Sequence, residues 1–143
     1  VDFEIETLQK NGNDHFMLKE IFEAPQVIEN TIRGRLLPER GRAKLGGLEA
    51  FLPQINTLER LTIVGCGSAY YAGRVGRTMI EAYAGIPVEV ELGSELRHKR
   101  LFPHPHTAIL AVSQSGETAD TLAAIRRGKE AGMLTLGIIN AVG

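Results

Sequence analysis

A chain of 143 residues, 43% hydrophobic and 23% charged, suits one domain with a single core and lies outside the compositions of disordered, fibrous and membrane-spanning sequences. Sixteen basic residues against seventeen acidic ones give no basic excess for nucleic acid, and no apolar run approaches the roughly 20 residues of a membrane span. The N-terminal VDFEIETLQK lacks the zones of a signal peptide, and Cys66, the one cysteine, excludes an internal disulfide or a cysteine-rich zinc site, so a cytoplasmic protein is expected.

Residues 1–16 hold the turn-prone pair Asn11 and Gly12 and no helical period, which reads as an arm or linker. The chain opens on Val1 rather than Met, from which an excised piece of a longer polypeptide is expected. Met17, Leu18, Ile21 and Phe22 share a helical face, and Pro25 suits the first turn of a second helix carrying Ile28 and Ile32. Residues 34–43 (GRLLPERGRA) read as a loop. Leu45, Leu48, Leu52 and Ile55 predict a third helix, with Pro53 as a kink or early stop. Together these segments form a helical preface over 17–57.

From residue 61 short apolar runs alternate with amphipathic stretches: LTIVGCG, then AYYAGRVGRTMIEAYAG, then VEVEL after Pro87, TAILAV, the SQSGETADTLAAIRRGKEAG helix, and LTLGIIN. Strands alternating with helices predict right-handed β-α-β units and a doubly wound parallel sheet over 61–143, buried on both faces. The chain stops at Gly143, three residues after the fourth strand, where a further helix and strand are expected.

In such a sheet, ligands bind beyond the carboxyl ends of the strands, where the strand order reverses. With order 2-1-3-4, the loop from Gly65 through Cys66, Gly67 and Ser68 to Ala69 and the loop from Ser113 through Gln114, Ser115, Gly116 and Glu117 to Thr118 flank one crevice. The second loop offers three hydroxyls and an amide as donors to an anion, and Gly116 permits close backbone approach. A helix starting near Ser115 or Gly116 would aim its free amides at the same oxygens. The plainer alternative is that Ser115 is an N-cap and Thr118 completes ordinary capping.

Other residues invite roles that simpler readings cover. Gly65-Cys66-Gly67 resembles the start of a dinucleotide fingerprint, with Glu89 and Glu91 at the ribose distance, but Tyr70 occupies the third glycine position; an NAD-binding domain is the enzyme rival. Cys66 has no evident base and reads as a small buried residue. His104 and His106 read as a solvated loop rather than a metal site, and no metal is expected. Arg74, Arg77, Arg126 and Arg127 read as solvated helix faces. Glu117 is expected to face away from a bound dianion.

CGSAYYAG and SQSGETADTL, in that order and on those elements, resemble the sugar isomerase (SIS) family, and within it the branch that aminates a hexose phosphate. HFMLKEIFEAP and GIPVEVELGSELR extend the resemblance over nearly the whole chain. It implies a flavodoxin-like, five-stranded subdomain, the first of two, joined in the whole enzyme to a glutamine-hydrolysing domain and expected as a homodimer. The implied activity is an aminotransferase with isomerase chemistry, making glucosamine 6-phosphate from fructose 6-phosphate and glutamine-derived ammonia without metal or organic cofactor. By motif, Ser113, Gln114, Ser115 and Thr118 are the implied phosphate ligands, with Ser68 beside them and Cys66, Gly67 and Gly116 supporting. Where many members have Thr-Ser, this sequence has Ser68-Ala69, which puts position 69 in doubt as a ligand. The carboxylate base and ring-opening groups are implied to lie in the second subdomain, a partner subunit and the C-terminal tail, so this chain alone is expected to be inactive. A sugar-phosphate sensor without catalysis shares the fold and is the non-enzyme alternative.

Overall fold

The computed structural model describes residues 10–141, so most of the expected arm, residues 1–9, lies outside the described residues. The chain divides into two compact units, Val1–Glu49 and Ala50–Gly143.

In the first unit a turn at Asn11 and Gly12, both with positive φ, precedes helix α1 (Phe16–Ile32). The expected pair of helices is one, with Pro25 inside it. Pro25 forfeits one hydrogen bond, but residues 17, 21, 28 and 32 continue a single apolar stripe past it, so the flanking turns stay in register. The expected loop after α1 contains a small antiparallel hairpin, β1 (Leu36–Leu37) with β2 (Arg42–Ala43), closed by a 3-10 turn over Pro38–Arg40 and a left-handed Gly41.

The predicted third helix is a 3-10 segment, Gly46–Phe51, followed by one turn of α2 (Leu52–Ile55). Pro53 sits in that first turn, where its missing N–H costs nothing, instead of ending a longer helix. The sheet follows: β3 (Arg60–Gly65), α3 (Ser68–Ala84), β4 (Val88–Leu92), a short α4 (Gly93–Leu96), β5 (Thr107–Ser113), α5 (Ala119–Glu130) and β6 (Leu134–Ile139). All four strands pair in parallel in the order β4-β3-β5-β6, which is the predicted 2-1-3-4.

Strand alternation builds two core layers. Leu61, Ile63, Val88 and Ala108 pack on one face with Ile80 of α3, while Val64, Ile109 and Ala111 pack on the other with Leu96 and Ala124. Ile63, Val64 and Ile109 are among the most deeply buried side chains, so β3 and β5 form the fixed centre from which the carboxyl-end loops project.

Candidate functional site

The β3 and β5 strands are neighbours in register, Val64 opposite Ala111, and the two donor-rich loops therefore leave adjacent strands at the same edge. After β3 the chain turns at once. A Cβ on Gly65 would lie 3.0 Å from the backbone of both Ala69 and Tyr70, so α3 begins directly against the strand end. Gly67 makes this possible with φ 57 and ψ -130, a region that side chains strain to enter. Ser68 is then the first residue of α3 and is exposed. Cys66 is half-buried, its thiol 3.7 Å from the hydroxyl of buried Thr121, a partner that is no base, which suits packing rather than nucleophilic chemistry.

The second loop is organised by its own hydroxyls. Ser113, only 8% exposed at the end of β5, accepts the Gly116 amide at 3.0 Å, and Ser115 accepts the Glu117 amide at 3.2 Å. The Ser113 hydroxyl accepts in that bond, which leaves its proton to donate. Asn140 and Ala141 amides fasten the Ser113 and Gln114 carbonyls, and Gly116 has φ 75, with a Cβ there 3.0 Å from Ile139 Cγ2. These bonds hold a turn, not a helix. Hence α5 starts at Ala119 rather than near Ser115 or Gly116, with Thr118 at the N-cap but making no side-chain capping bond. Ser115 caps no helix, so the plain capping alternative does not describe this loop. The amides without intrahelical partners are those of Ala119, Asp120 and Thr121, since the first helical bond runs from Leu122 to the Thr118 carbonyl.

One part of this edge had almost no signal in the sequence. The α4 segment docks on the first turn of α5: a Cβ on Gly93 would meet the Cys66 sulfur and the Thr121 amide nitrogen, each at 3.0 Å. Arg97 Nη1 donates to Asp120 Oδ1 at 2.6 Å, and Arg127 Nη1 donates to the Leu96 carbonyl at 2.7 Å. Arg127 is thus a structural anchor and not a solvated charge. A four-residue helix has no periodicity to read, and only the glycine after VEVEL hinted at a close approach.

The remaining tempting residues lie elsewhere or are engaged. Glu89 pairs with Arg60 at 4.0 Å, and Glu91 with Lys99, whose ammonium that hydrogen bond holds above its ordinary pKa. His104 lies 3.6 Å from the Glu59 carboxylate, and among the described residues no cluster of histidine, cysteine and carboxylates could hold a metal. Arg77 pairs with Glu81 on α3. The Glu81 carboxylate also accepts the Val88 amide, and the two bonds, the Val88 one foremost, hold its pKa below the ordinary value. Glu117 and Arg126 are exposed. A cavity of about 230 Å³ lined by Arg60, Thr62, Lys99 and Phe102 opens at the amino ends of the strands, opposite the two loops. No described helix is long and apolar enough to cross a membrane.

Residues 54–143 match the SIS domain. Over all 143 residues the chain is 46% identical to glutamine-fructose-6-phosphate aminotransferase (isomerizing) of Chlorobaculum tepidum and 42% identical to the protein of that name in Bacteroides thetaiotaomicron. It spans about a quarter of these relatives, 23% of the length of each. Among solved structures, the C-terminal domain of glucosamine-fructose-6-phosphate aminotransferase from Francisella tularensis superimposes with a TM-score of 0.83 at 35% identity, over 92% of this chain and 37% of that one. Tagatose-6-phosphate ketose/aldose isomerase from Escherichia coli, at 19% identity and a TM-score of 0.57 over 65% of this chain and 27% of its own, shares the fold.

Proposed function

The chain belongs to the SIS domain family, and from that premise we propose that it is the first sugar-phosphate-binding subdomain, with its helical preface, of an enzyme making glucosamine 6-phosphate. The substrates of that reading are fructose 6-phosphate and glutamine-derived ammonia. The observation that carries it is the juxtaposition of the Ser68 loop and the Ser113–Thr118 loop on adjacent strands, in a chain whose whole length aligns with glutamine-fructose-6-phosphate aminotransferases (isomerizing).

The proposed binding is a cradle of neutral donors. Ser113, Gln114, Ser115 and Thr118 supply side-chain hydrogen bonds, Ser68 adds one from the α3 entrance, and the α5 amides add the positive end of a helix dipole. Cys66, Gly67 and Gly116 shape the loops. A dianion gripped this way orients the sugar carbons without taking part in proton transfer. The groups that open the ring and move the proton between C1 and C2 belong, in this reading, to the second subdomain, a partner subunit and the chain's continuation. The glutaminase domain supplies ammonia, and no cofactor is needed.

Calorimetric titration with glucosamine 6-phosphate, with glucosamine as the unphosphorylated control, tests the cradle. Ser113→Ala and Ser115→Ala should each weaken binding of the phosphorylated sugar by about 1 to 3 kcal/mol, the range for losing a charge-assisted bond that leaves a polar group unpaired. Ser113→Ala should cost more, because it also frees the Gly116 amide. Unchanged affinity in both variants would remove the site.

A further inference from the structure

An anion site at the entrance of α5 carries an electrostatic difficulty. Asp120, the second residue of the helix, carries a carboxylate in the same first turn whose amides would receive the phosphate. A carboxylate in a first turn satisfies the helix dipole itself, so it competes with an incoming anion and repels it. The answer comes from the segment after β4. Arg97 Nη1 reaches Asp120 Oδ1 at 2.6 Å, and Arg97 is fixed in turn because Gly93 packs against Thr121 and Arg127 holds the Leu96 carbonyl. Asp120 and Arg127 lie seven residues apart, two turns on one face of α5, and the Gly93–Arg97 segment bridges them.

We infer that Arg97 is a positioning residue of the phosphate site: by pairing with Asp120 it holds and neutralises the carboxylate at the entrance of α5, so that a dianion meets free amides instead of an unscreened negative charge. The inference rests on the phosphate-binding reading given above. It adds a third strand end to the site, since Arg97 follows β4 while the donors follow β3 and β5. The pair is partly in water, with Arg97 44% and Asp120 33% exposed, so its influence is moderate and sensitive to salt.

The test is a charge cycle in the intact polypeptide, read by calorimetric titration with glucosamine 6-phosphate. Arg97→Ala should weaken binding about three- to ten-fold at low ionic strength and by less as salt is raised. Arg97→Lys should stay within about two-fold of the parent, because a cation is kept. The decisive variant joins Arg97→Ala with Asp120→Asn, which should return affinity to within about two-fold of the parent, since removing the carboxylate removes the need for its partner. A purely architectural Arg97, or one that touches the phosphate directly, predicts that the double variant stays weak, and that result overturns the inference. So does unchanged affinity in Arg97→Ala. If the parent binds and responds to Ser113→Ala while the Arg97 cycle is flat, only this inference fails. If the parent does not bind the phosphorylated sugar, the phosphate reading and this one fall together.

Discussion

Helix α3 lies on one face of the sheet and α5 on the other, and each approaches it through a buried glycine set over a buried isoleucine: Gly73 over Ile63 and Gly128 over Ile109. Their entrances differ. Helix α3 starts against the backbone of its own strand end, fixed by Gly65 and Gly67. Helix α5 starts only after the five residues 114–118 that follow β5, behind a turn held by two serine hydroxyls and beside a charge pair. The contrast separates two kinds of constraint: along the helices, close packing sets the fold, while at the α5 entrance, hydrogen bonds and a charge pair shape the loop to which the proposed function assigns the phosphate. Glycine substitutions should therefore act on stability, and serine or arginine substitutions on affinity.

The largest stability effect is expected at Gly128→Ala. The new methyl would stand 2.6 Å from Ile109 Cγ2, which belongs to a fully buried β-branched side chain with no freedom to swing away. Overpacking of this kind costs about 1 to 3 kcal/mol, and the better helix propensity of alanine returns up to about 1. A net loss of about 1 to 2 kcal/mol should appear in urea unfolding. Adding Ile109→Leu, which removes the branch facing the new methyl, should recover part of it. If the single variant is neutral, the glycine is not what brings α5 to the sheet.

Gly73→Ala should cost less. Its methyl would meet Ile63 Cγ2 at 2.8 Å, a slightly looser contact than the 2.6 Å one at Gly128, and Val90 Cγ1 at 3.3 Å, where the partly buried valine can give. A net change below about 1 kcal/mol is expected, because alanine's gain in the helix nearly offsets the strain. A loss larger than that of Gly128→Ala would reverse the ranking and make α3 the more tightly docked helix.

The sheet was readable in the sequence because β3 and β5, covered on both faces, are near-continuous apolar runs, and because parallel connection rules leave few strand orders. The two loops were readable for the same reason, since they follow those runs. What misled was local chemistry with two outcomes. Ser115-Gly116-Glu117-Thr118 has the composition of a helix start, yet Ser113, from inside the strand, accepts the Gly116 amide and delays the helix to Ala119. Pro25 looked like a helix opening because a first turn accepts proline most readily, but a continuous apolar stripe outweighed one lost bond. The Arg97–Asp120 pair spans 23 residues between two elements, and nothing in either stretch announces the other.

The smallest expected effect is at the far end of α3. There Glu81 joins helix to strand by accepting both the Val88 amide and Arg77 Nε at 3.1 Å, whereas α5 hands over to β6 through backbone bonds such as Met133 to the Gly128 carbonyl. The Glu81 carboxyl is held below its ordinary value of 4.5, chiefly by the Val88 amide and then by Arg77. A lowered carboxyl pKa stabilises the folded state above the unfolded value and ceases to do so as pH falls through the folded one. Glu81→Gln should therefore melt slightly below the parent at neutral pH, and the gap should close as pH drops below about 4.5. A small shift is expected because the group is partly exposed to water. A gap that stays constant into acid would mean that the bond to Val88 acts through geometry alone, and it would erase this difference between the two helices.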